Sequence, residues 1–236
     1  SGDLGTVVID ANRPTMTIAS TTNGVSDGSK TNDGSIALTF TSSEATTNFV
    51  ATDISVTGGT LSNFDGSGTD YTATFTPSGD GATTVDVGAT FTDAVGNANT
   101  AAAQFNWEYD GTAPTMVIST STVASGGTTN TAAIALTFTS SEATSDFASG
   151  DITVTGCSLG DTFAASSSTV YTATCTATGD GTPTVTVNAD AFTDAGGNGN
   201  TASNTYTWTY DGTAPTVQIS SSASNPATGS TFAVSI

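Results

Sequence analysis

FTDAVGNANTAAAQFNWEYDGTAPTM, from Phe91 to Met116, returns as FTDAGGNGNTASNTYTWTYDGTAPTV, from Phe192 to Val217, 101 residues further along the chain. A fainter version of its end, VVIDANRPTM, occupies Val7 to Met16. Self-similarity at a period near 100 residues signals tandem copies of one domain. In such arrays each unit contacts only its neighbours, which suits spanning a distance or displaying something. A reaction needs one site and not a row of them.

Outward from these blocks the hydrophobic period is two residues, with no helical period. Ile36-Leu38-Phe40 alternates with small polar residues, as do Ile134-Leu136-Phe138 and Phe232-Val234-Ile236. Tyr71-Ala73-Phe75 matches Tyr171-Ala173-Cys175, and Phe105-Trp107-Tyr109 matches Tyr206-Trp208-Tyr210. Thr and Ser fill the outward positions, as half-buried strands require. Turn signals separate the runs at Gly58-Gly59, Asp65-Gly66, Gly79-Asp80-Gly81 and Asp93 to Asn97.

Seven strands fit the first repeat: A (Met16 to Ala19), B (Ser35 to Thr41), C (Asp53 to Thr57), D (Thr60 to Phe64), E (Tyr71 to Thr76), F (Thr83 to Thr90) and G (Ala102 to Tyr109). The predicted fold is all-β: immunoglobulin-like seven-stranded β-sandwiches, in tandem and end to end, with a closed barrel as the weaker alternative. Side-chain parity slips at Gly58 and Gly156, which predicts a bulge or a strand that changes sheets. Asp27 to Gly34, which contains Lys30, reads as a variable surface loop. Residues 1–10 read as the last strand of a preceding repeat, and 11–110 and 111–211 as two repeats. Residues 212–236 read as the first strands of a following repeat, so the chain is expected to be a window onto a longer array. Pro114 and Pro215 stiffen the short linkers.

Composition narrows the function. Asp plus Glu is 21, Lys plus Arg is 2, and the formal charge is -19. Nucleic-acid binding and anionic membrane surfaces are disfavoured, because both need many basic side chains. No apolar run is long enough for membrane insertion. The chain has no His, so no Ser-His-Asp or Cys-His arrangement can form, and a catalytic role is not expected. Trp107 and Trp208 could stack on sugars, but their alternating context favours core packing.

SSEATTNFVATDISVTGGTLSNF (Ser42 to Phe64), YTATFTPSGDG (Tyr71 to Gly81), FTDAVGN and DGTAPT together resemble the bacterial immunoglobulin-like repeats of large secreted adhesins and biofilm-associated surface proteins. The resemblance covers both complete repeats. It implies an extracellular, cell-surface stalk, often with calcium between domains, and no enzyme. Against that pattern the second repeat replaces Gly59 by Cys157 and Phe75 by Cys175. The paired change suggests a disulfide and an oxidising compartment, with two unpaired buried thiols as the alternative.

Sandwich topology places the B–C and F–G loops at the end where the chain enters a domain. Asp10, Glu44 and Asp93 should therefore meet at the entrance of the first repeat, and Asp110, Glu142 and Asp194 at that of the second. Asp211 opens the same set for a third. Three carboxylates repel one another unless a hard cation, here calcium, takes them as oxygen ligands. Asp53 and Asp151 are second-tier candidates, and Asp80 and Asp180 should face the exit linkers. The alternative is that each Asp bonds its own turn. The expected function is a structural stalk or spacer whose partners are neighbouring repeats and possibly other copies in a filament. A glycan- or protein-binding module and a laterally polymerising subunit are the alternatives.

Overall fold

The structure is a computed structural model that describes residues 9–221 and 234–235. The first repeat contains β1 (Met16–Ser20), β2 (Ser29–Thr31), β3 (Ile36–Thr46), β4 (Ile54–Thr57), β5 (Gly59–Pro77), β6 (Gly81–Val87) and β7 (Phe105–Tyr109). They form two sheets, ordered β1-β3-β5 and β2-β7-β6-β4. The second repeat contains β8 (Met116–Ser119), β9 (Thr128–Thr129), β10 (Ala133–Ser140), β11 (Ile152–Thr155), β12 (Cys157–Ser158), β13 (Ala164–Ala165), β14 (Val170–Ala177), β15 (Thr184–Val187), β16 (Tyr206–Thr207) and β17 (Thr209–Tyr210). Its sheets repeat the plan: β8-β10-β14 with β12 and β13 on β14, and β11-β15-β16, with β17 pairing β9.

The alternation read from the sequence is the burial pattern of these strands. Ile36, Leu38 and Phe40 face inward at 1% exposure or less, and so do Ile134, Leu136 and Phe138. Each repeat has its own apolar cluster, closed by Trp107 in the first and Trp208 in the second. Both indoles are buried, so neither offers a face to a sugar.

Two features resolve the parity slip. Gly58, at φ +75°, carries the chain from β4 in one sheet to β5 in the other, and a Cβ there would lie 2.6 Å from the Ala82 carbonyl oxygen. Asn63 then adopts φ 51°, which lets Leu61 and Phe64 both reach the core despite their odd spacing.

Within the segment read as a surface loop, Ser29–Thr31 form a strand. β2 pairs in parallel with β7, setting Ser29 opposite Trp107, Lys30 opposite Glu108 and Thr31 opposite Tyr109. Its side chains carry no apolar alternation, so periodicity gave no warning. Strands D and E form one unbroken run, β5 (Gly59–Pro77), that doubles back on itself, setting Gly59 against Phe75 and Thr76 and Gly66 against Asp70 and Tyr71. In the second repeat the last strand breaks between β16 and β17 at Trp208. Pro183 stands where Thr83 pairs with Trp107 in the first repeat, and it has no N–H to give the ladder.

Cys157 and Cys175 form a disulfide, with Cα atoms 5.7 Å apart. It joins neighbouring strands, since Cys157 lies opposite Ala177 on β14. In the first repeat the same space holds Gly59 and Phe75: a Cβ on Gly59 would stand 2.5 Å from Phe75 Cζ. The bridge thus replaces a ring packed on a glycine.

Past the second repeat, β18 (Ser220–Ser221) pairs antiparallel with β19 (Val234–Ser235). Ser220 opposite Ser235 repeats the register of Ser119 opposite Thr137, the A–B pairing of the preceding unit.

Candidate metal centre at the domain junctions

The entrance end of each sandwich is built on an aromatic cluster. Phe49 in the B–C loop packs against Phe40, Phe64, Tyr71 and Phe91, with centroids 5.0–6.0 Å apart. Phe147 repeats the arrangement with Phe138, Phe163, Tyr171 and Phe192. The Tyr71 hydroxyl donates to the Thr46 carbonyl at 3.0 Å, and the Tyr171 hydroxyl to the Thr144 carbonyl at 2.9 Å. Each bond ties the loop that follows Glu44 or Glu142 to strand E. Across the gap, Asn48 Oδ1 accepts the Thr92 N–H at 3.1 Å, and the Asp146 carboxylate accepts the Thr193 N–H and hydroxyl. The B–C and F–G loops are therefore fixed to each other in both repeats.

On this platform the predicted carboxylates converge. Asp10, Glu44 and Asp93 each bring an oxygen within 4.8 Å of the other two, and so do Asp110, Glu142 and Asp194. Asp93 is 8% exposed, Asp194 8% and Asp110 5%. Asp93 Oδ1 accepts the N–H groups of Val95, Gly96 and Asn97 at 2.7–2.9 Å, leaving Oδ2 to Asn97 Nδ2 at 2.8 Å. Burial works against the Asp93 charge, but the hydrogen bonds from Asn97, Val95 and Gly96 outweigh it and hold the carboxyl below its ordinary value. Desolvation, then the charges of Asp10 and Asp93, push Glu44 up. Glu142 is pushed up by desolvation and then by Asp110 and Asp194, while Lys30 pulls it back.

The donor set fits a hard cation. All six groups are carboxylates, and oxygens within 4.8 Å of one another can share one calcium ion, which takes oxygen at about 2.3–2.6 Å. The two groups are not equivalent, however. The second has a basic partner. Lys30 Nζ lies 2.9 Å from Asp110 Oδ2 and 3.3 Å from Glu108 Oε1. Asp110 Oδ2 is buried with no regular hydrogen bond, so the ammonium meets it as an ion pair. That partnership holds Lys30 protonated well above the ordinary lysine range.

The remaining candidates act locally. Asp53 and Asp151 accept the N–H of Val50 and Ala148 and cap short 3-10 turns at Ala51–Asp53 and Ser149–Asp151. Asp80 and Asp180 do face the exit linkers. Asp80 accepts the Gly111 N–H at 2.7 Å and the Thr112 hydroxyl, and Asp180 accepts the Gly212 N–H at 2.7 Å and the Thr213 hydroxyl. Those bonds, from the Thr hydroxyl first, hold both carboxyls below their ordinary value. Asp211 joins no acidic group among the described residues; its Oδ1 accepts the Thr213 N–H.

Three asparagines escaped the sequence reading. Asn97 Nδ2 and Asn198 Nδ2 donate to the Asp10 and Asp110 carbonyls at 3.1 and 2.8 Å, joining each F–G loop to the entering linker. Their repetition in DAVGN and DAGGN was the available signal. Asn32, beyond β2, crosses between domains: its N–H donates to the Gly196 carbonyl at 2.9 Å and its Nδ2 to Asn198 Oδ1 at 3.2 Å.

A family model described as a bacterial Ig-like domain matches residues 10–109 and again 110–210, and the chain belongs to that family. No curated protein matches the chain. Among solved structures it is similar to InvD of Yersinia pseudotuberculosis, with 16% identity, a TM-score of 0.39, and coverage of 89% of this chain and 62% of that one. The adhesin InvE of the same organism gives 14% identity, a TM-score of 0.29, and coverage of 83% and 58%. The chain thus spans about 60% of the length of these two proteins.

Proposed function

We propose that this tandem of bacterial Ig-like domains is a structural spacer segment of an extracellular surface protein, an adhesin stalk or surface filament, and that calcium at the domain entrances stiffens it. The observation that carries the reading is the recurrence of one three-carboxylate group at the entrance of both repeats. Recurrence at the repeat period argues for architecture, since a catalytic acid and base would be needed once. The absence of His from the sequence argues the same way. Each sandwich adds roughly 40 Å of reach, because a ten-residue strand rises about 3.3 Å per residue and the linker adds a little.

Asp10, Glu44 and Asp93 would hold one ion, with Asp110, Glu142 and Asp194 as the second group. An ion at either place would offset carboxylate repulsion and join the entering linker to the B–C and F–G loops. The test is thermal unfolding and small-angle scattering of the whole chain in excess chelator and in millimolar calcium. A melting temperature raised by calcium and a longer maximum dimension are expected, and an unchanged dimension counts against the stiffening. Identical melts, with no calorimetric heat of calcium binding, refute the calcium part.

A further inference from the structure

We infer that Lys30 is the resident cation of the junction between the two repeats, so that the Asp110–Glu142–Asp194 group depends on an external divalent ion far less than the Asp10–Glu44–Asp93 group does. The calcium arm of this inference rests on the reading above; the role of the lysine does not.

Three observations support it. First, the register delivers the ammonium. β2 pairs with β7 so that Lys30 lies beside Glu108, and the Asp110 N–H donates to the Thr31 carbonyl at 2.9 Å. The buried oxygen of Asp110 is then 2.9 Å from Nζ. Glu108, at 3.3 Å, is 56% exposed and screened by water, so the buried partner dominates.

Second, the next junction keeps the backbone and drops the charges. β9 pairs with β17 in the same way, and the Asp211 N–H donates to the Thr129 carbonyl at 3.1 Å. Thr128 lies opposite Thr209, where the first repeat has Lys30 and Glu108. Lysine and its flanking glutamate are exchanged together, so the pair behaves as one interchangeable part on a constant strand.

Third, the other cation at a domain entrance is used differently. Arg13 donates from Nε to the Ala98 carbonyl and from Nη2 to the Asn99 carbonyl, at 2.8 and 2.9 Å, and makes no ion pair with Asp10, Glu44 or Asp93. Among the described residues that group has no basic partner.

Lys30 therefore holds one oxygen of a carboxylate that a metal ion at the second group would share. One positive charge a few ångströms from a divalent ion weakens its binding roughly tenfold or more. The lysine also offsets carboxylate repulsion when no metal is present.

The experiment is calcium titration by calorimetry, with thermal melts in excess chelator, on the whole chain and on Lys30→Thr and Lys30→Met. Threonine is the residue the next junction carries, and methionine keeps the aliphatic stem. Both variants are expected to melt a few degrees lower in chelator, to regain the loss in calcium, and to gain roughly tenfold tighter binding at one site. Adding Glu142→Gln to Lys30→Thr should abolish that gain. Equal melts in chelator overturn the inference. If no form binds calcium, the calcium reading falls, and the chelator melts alone decide whether the lysine acts as proposed. If calcium binds two sites equally and neither variant changes affinity or melt, the inference falls and the calcium reading stands.

Discussion

Exchanging the disulfide for the pair it replaces should be close to neutral, whereas either half of the exchange should be costly. Cys157 and Cys175 are 18 residues apart, and closing a loop of that length stabilises the fold by about 3 kcal/mol on the chain-entropy model. Cys157→Gly alone loses this and leaves an unfilled space, for about 3–4 kcal/mol. Cys175→Phe alone loses the bridge and drives a ring into the Cys157 side chain. The first repeat shows the conflict, since a Cβ at Gly59 would lie 2.5 Å from Phe75 Cζ. Overpacking of that kind adds about 1–3 kcal/mol, for a total of about 4–6. Together, Cys157→Gly and Cys175→Phe recreate the Gly59–Phe75 contact, and burying the ring restores about 2–3 kcal/mol. The double variant should fall within about 1 kcal/mol of the parent, a coupling of several kcal/mol between the two sites. Native-state hydrogen exchange of the amides in Val170–Ala177 reads the second repeat separately from the first. If Cys175→Phe alone is as stable as the double variant, the proposed exchange of bridge for ring is wrong.

Other expectations follow from the junction. In chelator, Glu44 and Glu142 hold raised values, so their contribution is complete below their unfolded value of 4.5 and is lost as pH rises through the folded one. Asp80, Asp93 and Asp180 hold lowered values, so theirs is present above 3.8 and is lost as pH falls through the folded value. The melting temperature in chelator should therefore rise as pH drops through the folded values of Glu44 and Glu142 towards 4.5 and fall as it drops below 3.8, and Glu44→Gln should flatten the rise; a monotonic profile contradicts this assignment. Asp80→Asn should speed proteolytic cutting between Gly111 and Thr115, with little change in the melt of either repeat. Asn99 is fully buried, accepts the Phe91 N–H and donates to the Gly88 and Thr100 carbonyls. Asn99→Ala should cost about 3 kcal/mol by orphaning buried groups, measured by urea unfolding of the whole chain.

What the sequence disclosed and what it concealed divide along a physical line. Repetition and two-residue alternation are properties of side chains that bury, and they located the sandwich, its loops and, through the loops, both carboxylate groups. β2 has no inward apolar stripe; it exists because its backbone completes the edge of β7, a pairing that leaves no mark on hydropathy. Lys30 therefore read as part of a surface loop, and its role at the junction was invisible. Asn32 and Asn97 were hidden for a related reason. Their work is done by amide groups reaching across loops whose proximity only the fold reveals. Pro183 lay in plain view, and its consequence, the break at Trp208, follows once its strand partner is known.

The linker bonds limit what any cation can do. Asp80 grips Gly111 and Thr112, and Asp180 grips Gly212 and Thr213 in the same way. The Asp110 and Asp211 N–H groups likewise both meet the strand of the domain being left. The exit path of the linker is thus held by bonds to the upstream sandwich. If calcium acts as proposed, only the second half of each hinge, where Glu44 or Glu142 and the F–G loop close on the linker, depends on neutralising charge. Removing divalent ions should then widen the angular spread between domains without freeing the linker. At the junction that Lys30 serves, the spread should stay narrow, because the Asn32 contacts and the ammonium hold the F–G loop and Asp110 from the upstream side. A chain whose junctions alternate between lysine and threonine at this strand position would be stiff at some joints in any medium and at others only in calcium.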